Sequence, residues 1–190
     1  MKRIALPIGM CALASLVAGC MAIDNEAIAS EQKSPQVQEA IAALEKNLAQ
    51  ASEQRDTETK AAFRELAFPD GTELPEPDSL QDLQAEIDSL QGATTLPMDQ
   101  QYGIIYEDGY FAADLANSWQ CAWLSEAVTA YRAGDNDRVN AAVETLEGFP
   151  DLSVSQYFPD YAAFLEWHVN PIVEGDDTAS ANYLESDCSF

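Results

Sequence analysis

The sequence predicts an all-α fold, a small irregular helical bundle with a long N-terminal helix. Two observations carry this. Apolar residues recur three and four apart through most of the chain after Pro35, and Gly, Pro, Ser and Asp fall where such runs begin and end. A third observation agrees with them: the one stretch with strand character is Tyr102-Gly103-Ile104-Ile105-Tyr106, with Glu107-Asp108-Gly109 as the turn after it.

Pro35 opens the first pattern. Val37, Ile41, Leu44, Leu48 and Ala51 form its apolar face, and Phe63 and Leu66 renew it near the end of a helix expected over about 35–67. Arg55 and Glu58 weaken the middle of that stripe, which argues for a helix packed on its own domain rather than a free coiled coil. A linker over about 68–78 follows. Phe68-Pro69-Asp70-Gly71 suits a turn with Pro second and Gly fourth, and Pro75 and Pro77 keep the chain extended. The helical core is expected over about 79–190. Ser79 with Asp82 resembles a capping box, Leu80, Leu83, Ile87 and Leu90 make a stripe, and Gly92 ends it.

From Tyr110 to Ala133 apolar residues occur nearly all round, which places this helix at the centre of the fold. Gly134 then stops it and Asp135-Asn136-Asp137 caps an antiparallel neighbour bearing Val139, Val143 and Leu146, ended by Gly148. Pro159 and Asp160 open a helix through about Asn170, where Pro171 stops it; a last helix spans about Thr178 to Glu185.

The chain has 190 residues, 47% of them hydrophobic, enough for one domain with a core. Its formal net charge is −24. From Glu65 onward 25 acidic residues face only Arg132 and Arg138. Such a surface repels phosphate and anionic headgroups, so nucleic acid is not an expected partner.

The first residues carry a targeting signal. Lys2 and Arg3 precede Ile4 to Gly19, which has no charge. At about 24 Å as a helix this run is shorter than a bilayer core, so it reads as a signal peptide. It ends in Val17-Ala18-Gly19-Cys20, which resembles the lipobox of bacterial lipoproteins: an aliphatic residue, two small ones, then cysteine. The resemblance implies cleavage between Gly19 and Cys20, lipid on the Cys20 sulfur and anchoring at the extracytoplasmic side of a cell membrane. Residues 1–19 are then the signal peptide, 20–34 a flexible tether and 35–190 the single helical domain. Met21 replaces the aspartate that resembles an inner-membrane retention signal, so an outer membrane is the destination in a host that has one.

With Cys11 removed and Cys20 lipidated, Cys121 and Cys188 remain as a pair in an oxidising compartment. Their bridge would strap the C-terminus onto the central helix, contributing about 4 kcal/mol in the chain-entropy model.

Motifs for chemistry are sparse. The single histidine, His168, shares a helical face with Tyr161, Phe164 and Leu165 and is expected to be packed and hydrogen-bonded. Asp135-Asn136-Asp137 and Asp176-Asp177 depart from the calcium loop, with Val139 and Ala181 at positions that need a ligand and a glycine, and are expected to cap helices. No catalytic residue, metal site or cofactor is assigned. Tyr102, Tyr106, Tyr110, Trp119 and Trp123 could line a ligand groove between the Tyr102–Tyr110 segment and the central helix. The expected function is a non-enzymatic interaction or binding module, anchored in the membrane through Cys20, with a protein partner in the cell envelope. Alternatives are a small-molecule or cation-binding lipoprotein, and a carboxylate-dependent cell-wall hydrolase.

Overall fold

Ser34 starts the first helix. Its hydroxyl accepts a hydrogen bond from the Val37 N–H at 3.3 Å, and Pro35 occupies the first turn, where no amide donor is missed. In the computed structural model, which describes residues 33–76, 79–97 and 103–188, this helix, α1, runs Pro35–Ala62. It stops short of the expected 67: the amides of Arg64 and Glu65 bond three residues back, to Ala61 and Ala62, so the last turn tightens and ends.

The turn after it lies one residue later than expected. Thr72 N–H donates to the Pro69 carbonyl at 3.1 Å, and Gly71, third in the turn, has φ +81°. A glycine with positive φ belongs at the third position of a type II turn, which sets the register.

Helix α2 (Gln81–Gln91) also starts later than the capping box implies. Its N-cap is Leu80, at φ 57° and only 2% exposed. A left-handed leucine costs about 1–2 kcal/mol. Burial of Leu80 beside Leu83, Ile87 and Leu90 offsets that cost and overrides the polar cap.

No strand occurs among the described residues. The segment expected to be one instead lies along α1. Asn47 donates its amide to the Ile104 carbonyl at 2.7 Å, Gln54 donates to the Glu107 carbonyl at 2.8 Å, and the Glu86 carboxylate accepts from Gly103 N–H at 3.2 Å. Side chains of the two helices thus do what a neighbouring strand would do.

Helix α3 (Tyr110–Ala133) is the centre, as its composition predicts, with Ala116, Trp119, Leu124, Ala127 and Ala130 among its buried residues. Its N-terminus has no cap of its own. Glu58 of α1 supplies one, accepting from Gly109 N–H at 2.8 Å and Phe111 N–H at 3.0 Å. Gly109 has φ +83°, and a Cβ there would sit 2.0 Å from the Tyr157 ring. At the other end Gly134 is left-handed and Asp135 N–H closes back to Ala130 at 2.9 Å. Asp135 then caps α4 (Asn136–Glu147) by accepting from Arg138 N–H, and α3 and α4 pack side by side.

Two 3-10 turns follow, Phe149–Asp151 and Ser153–Tyr157. Glu65 caps the second, accepting from Ser153 N–H at 2.8 Å. Helices α5 (Tyr161–Phe164) and α6 (Asn170–Glu174) are joined by a π-helical turn, Leu165–Val169. Pro171 therefore does not stop the helix as expected. It sits in the first turn of α6, where the wider π turn has already displaced the backbone that its ring would strike. Helix α7 (Thr178–Ser186) follows, and the Cys121–Cys188 disulfide ties the residues after it to α3, with the Cα atoms 5.7 Å apart.

The apolar interior forms two clusters. One joins α2 to the first part of α1, with Phe111 of α3. The larger one gathers α3, α4 and the segments after them around Trp119 and Phe149, and receives Ala62 and Leu66 from the end of α1.

Candidate functional site

Among the described residues the aromatic side chains singled out from the sequence do not line one groove. Tyr106 and Tyr110 pack with Phe111 at the start of α3, with ring centroids 4.8–5.2 Å apart. Trp119 and Trp123 lie further along α3, and both indole N–H groups donate to one acceptor, the Ala67 carbonyl, at 2.8 Å each. Trp119 is 2% exposed and stacks on Phe149. Its role is to hold the end of the α1 segment against α3. Tyr102, Gly19 and Cys20 lie outside the described residues.

The concave feature of α3 is on another face. Between the linker residues 69–76 and α3 runs an open groove of about 700 Å³. Ser118, Ala122, Ser125 and Thr129 of α3 contribute to its floor, all on one helical face by their spacing. They are small, so the floor is shallow and set with hydroxyls. The Ser118 hydroxyl donates to the Asp114 carbonyl at 3.3 Å. Linker residues Pro75 and Glu76 also close over Phe111 and Leu115, leaving a space of only about 10 Å³ there. The linker thus seals one end of α3 and stands off the other.

The rim is acidic. Asp70, Glu73 and Glu76 rise from the linker, and Glu126 from α3. Glu126 is paired with Arg138 of α4, with Nη2 to Oε1 at 2.6 Å. The linker carboxylates are exposed and enter none of the ion pairs among the described residues, which are Arg55–Asp56, Arg132–Asp177 and Arg138–Glu126. Leu74, 54% exposed, adds an apolar contact between Glu73 and Glu76. The arrangement offers hydrogen-bonding oxygens, negative charge and a patch of hydrocarbon along one trough.

Other titratable groups have structural surroundings. Asp176 accepts from Thr178 N–H at 2.9 Å, and the Thr178 hydroxyl and amide hold its carboxyl below the usual range. Tyr161 donates its hydroxyl to the Leu146 carbonyl at 2.8 Å, and burial pushes it well above an ordinary phenol. His168 is packed as expected, with its ring centroid 4.4 Å from Tyr183 and 5.7 Å from Phe164, but its buried Nδ1 has no hydrogen-bond partner among the described residues. No group of three or more His, Cys, Asp or Glu is placed to hold a metal ion among the described residues, and no helix there is long and apolar enough to cross a membrane.

Sequence reasoning missed the groove. Its signal was the set of small side chains at Ser118, Ala122, Ser125 and Thr129, three of them hydroxylated, on one face of the central helix, preceded in the sequence by a linker rich in Pro and Glu. No protein-family model, no curated protein and no solved structure matches this chain.

Proposed function

We propose that this chain is a lipid-anchored protein of the bacterial cell envelope. In this reading its helical domain binds a partner in the groove between the linker and α3 and performs no chemistry on it. The carrying observation is the make-up of that groove: a hydroxyl-set floor and a carboxylate rim along one helix, which is equipment for holding a ligand. Val17-Ala18-Gly19-Cys20 supports the anchor, and the outer membrane is its place in a host that has one. The tether of residues 20–34 then gives the domain freedom to meet a partner beyond the bilayer surface.

Two measurements test the reading. Mass spectrometry of the mature N-terminus is expected to find lipidated Cys20; an unmodified Cys20, or a chain beginning at Met1, removes the anchor. A photoreactive residue at Ser125 in the full-length chain is expected to form a discrete adduct in intact cells. The same residue at Glu39, on the exposed side of α1, serves as the control. Adducts that are equal at both positions, or absent at Ser125, overturn the binding role.

A further inference from the structure

We infer that the occupant of the groove is an extended basic peptide segment of a partner protein, an inference that rests on the binding role proposed above. Three features of the groove converge on this class of ligand.

The first is charge. Asp70, Glu73 and Glu76 stand along one rim, exposed and without a salt bridge among the described residues. After Glu65 the chain has only two cations, Arg132 and Arg138, and both are already engaged, with Asp177 and Glu126. Arg138 neutralises Glu126 alone, and no ion pair among the described residues reaches Asp70, Glu73 or Glu76, so a cationic ligand would relieve the repulsion within the rim.

The second is shape. Ser118 to Thr129 spans about 16 Å along α3, the reach of about five residues of extended chain. The small floor side chains let a backbone approach, and Leu74 offers one apolar contact among the carboxylates.

The third is the linker backbone. Thr72 N–H is bonded to Pro69, whereas the amides of Glu73, Leu74 and Glu76 make no hydrogen bond within the described chain. An extended peptide can supply backbone acceptors to such a segment, and a point cation cannot. A bare metal ion would also need converging oxygens, and no metal-binding group of acidic residues exists among the described residues.

The test uses the full mature chain in detergent and a labelled peptide of alternating lysine and valine, read by fluorescence anisotropy. The same peptide with glutamate for lysine, spermine, calcium and a neutral oligosaccharide are the comparison ligands. The lysine peptide is expected to bind, to weaken as salt rises, and to lose about tenfold in affinity in Glu73→Gln/Glu76→Gln. Ser125→Trp, which fills the trough, is expected to abolish binding. Because Glu73 and Glu76 are exposed, the double variant keeps its fold and decides the matter even where the tryptophan does not.

Equal binding of the glutamate peptide overturns the inference, as does an unchanged affinity in the double variant. Binding of spermine, calcium or the oligosaccharide at the groove without the lysine peptide also overturns it, while leaving the binding role intact. Failure of the lysine peptide to bind overturns the inference whatever the other ligands do, and that failure together with no adduct at Ser125 removes the binding role as well.

Discussion

The cluster around α2 is mainly aliphatic, with Leu44, Ala51, Leu80, Leu83, Ile87 and Leu90 buried in it, and its rings are confined to Phe111 and the tyrosines packed on it at the start of α3. The cluster around α3 is strung on rings. Trp119 contacts Phe149, Phe149 contacts Tyr161 at 4.4 Å, Tyr161 contacts Phe164, and Phe164 contacts Tyr183. Polar groups differ too. In the smaller cluster the backbone of residues 103–111 is held from outside by Asn47, Gln54, Glu58 and Glu86. In the larger one the connecting segment 149–157 bonds mostly to itself in 3-10 turns, and Phe149 anchors it. A region rich in buried rings can afford tight turns between its helices; a region of few aliphatic residues needs long polar side chains to satisfy an irregular segment. The α2 region should therefore open before the rest, on the timescale that hydrogen exchange reads.

Four changes would break or sharpen this contrast. Phe149→Ala removes a fully buried ring that touches Trp119, Phe158 and Tyr161, and is expected to cost about 3–5 kcal/mol in chemical denaturation. Exchange in α2 should rise with it only as far as global unfolding does. Cys121→Ser/Cys188→Ser frees the strap over a separation of 67 residues and is expected to lower stability by about 2–4 kcal/mol. Its exchange should rise first in α7, where Ser180 is the only buried residue; an increase that starts in α2 would contradict the separation of the two regions.

Glu58→Ala leaves the Gly109 and Phe111 amides without their acceptor, at a cost of about 1–3 kcal/mol. Here protection should fall at the start of α3 and along 103–109, with α4 little changed. The smallest effect concerns alkaline pH. Burial raises the Tyr161 pKa, so the folded chain keeps a proton that the unfolded chain releases near pH ~10. Stability is then complete below that pH and falls as pH rises above it. In Tyr161→Phe the fall should be shallower, though not abolished, because burial raises Tyr183 and Tyr157 in the same direction. An identical slope in both proteins would mean that Tyr161 does not report on the ring-built core.

The elements with strong periodicity were legible. Leu83, Ile87 and Leu90 face inward as their spacing demands, and Gly134 and Asp135 end one helix and start the next as their chemistry demands. The Cys121–Cys188 bridge was legible as well. What escaped depended on partners far away in sequence. Glu58 looked like a flaw in the α1 stripe, yet it faces inward because it caps α3, 53 residues on to Phe111. Leu80 took the N-cap from Ser79 because burial outweighed a local hydrogen bond. Pro171 reads as a terminator in the sequence because a π turn leaves no mark in the apolar pattern. The groove escaped for a similar reason: Ser118, Ala122, Ser125 and Thr129 become a floor only once the linker is seen opposite them.

The carbonyl shared by Trp119 and Trp123 has an optical consequence. It belongs to Ala67, two residues before Pro69, where the linker wall of the groove begins. A ligand that shifts this wall changes the polarity around both indoles at once. Trp167, 62% exposed in the π turn, supplies a solvent-facing baseline. Under the binding role proposed above, emission from Trp119 and Trp123 is therefore expected to report occupancy of the groove without a label.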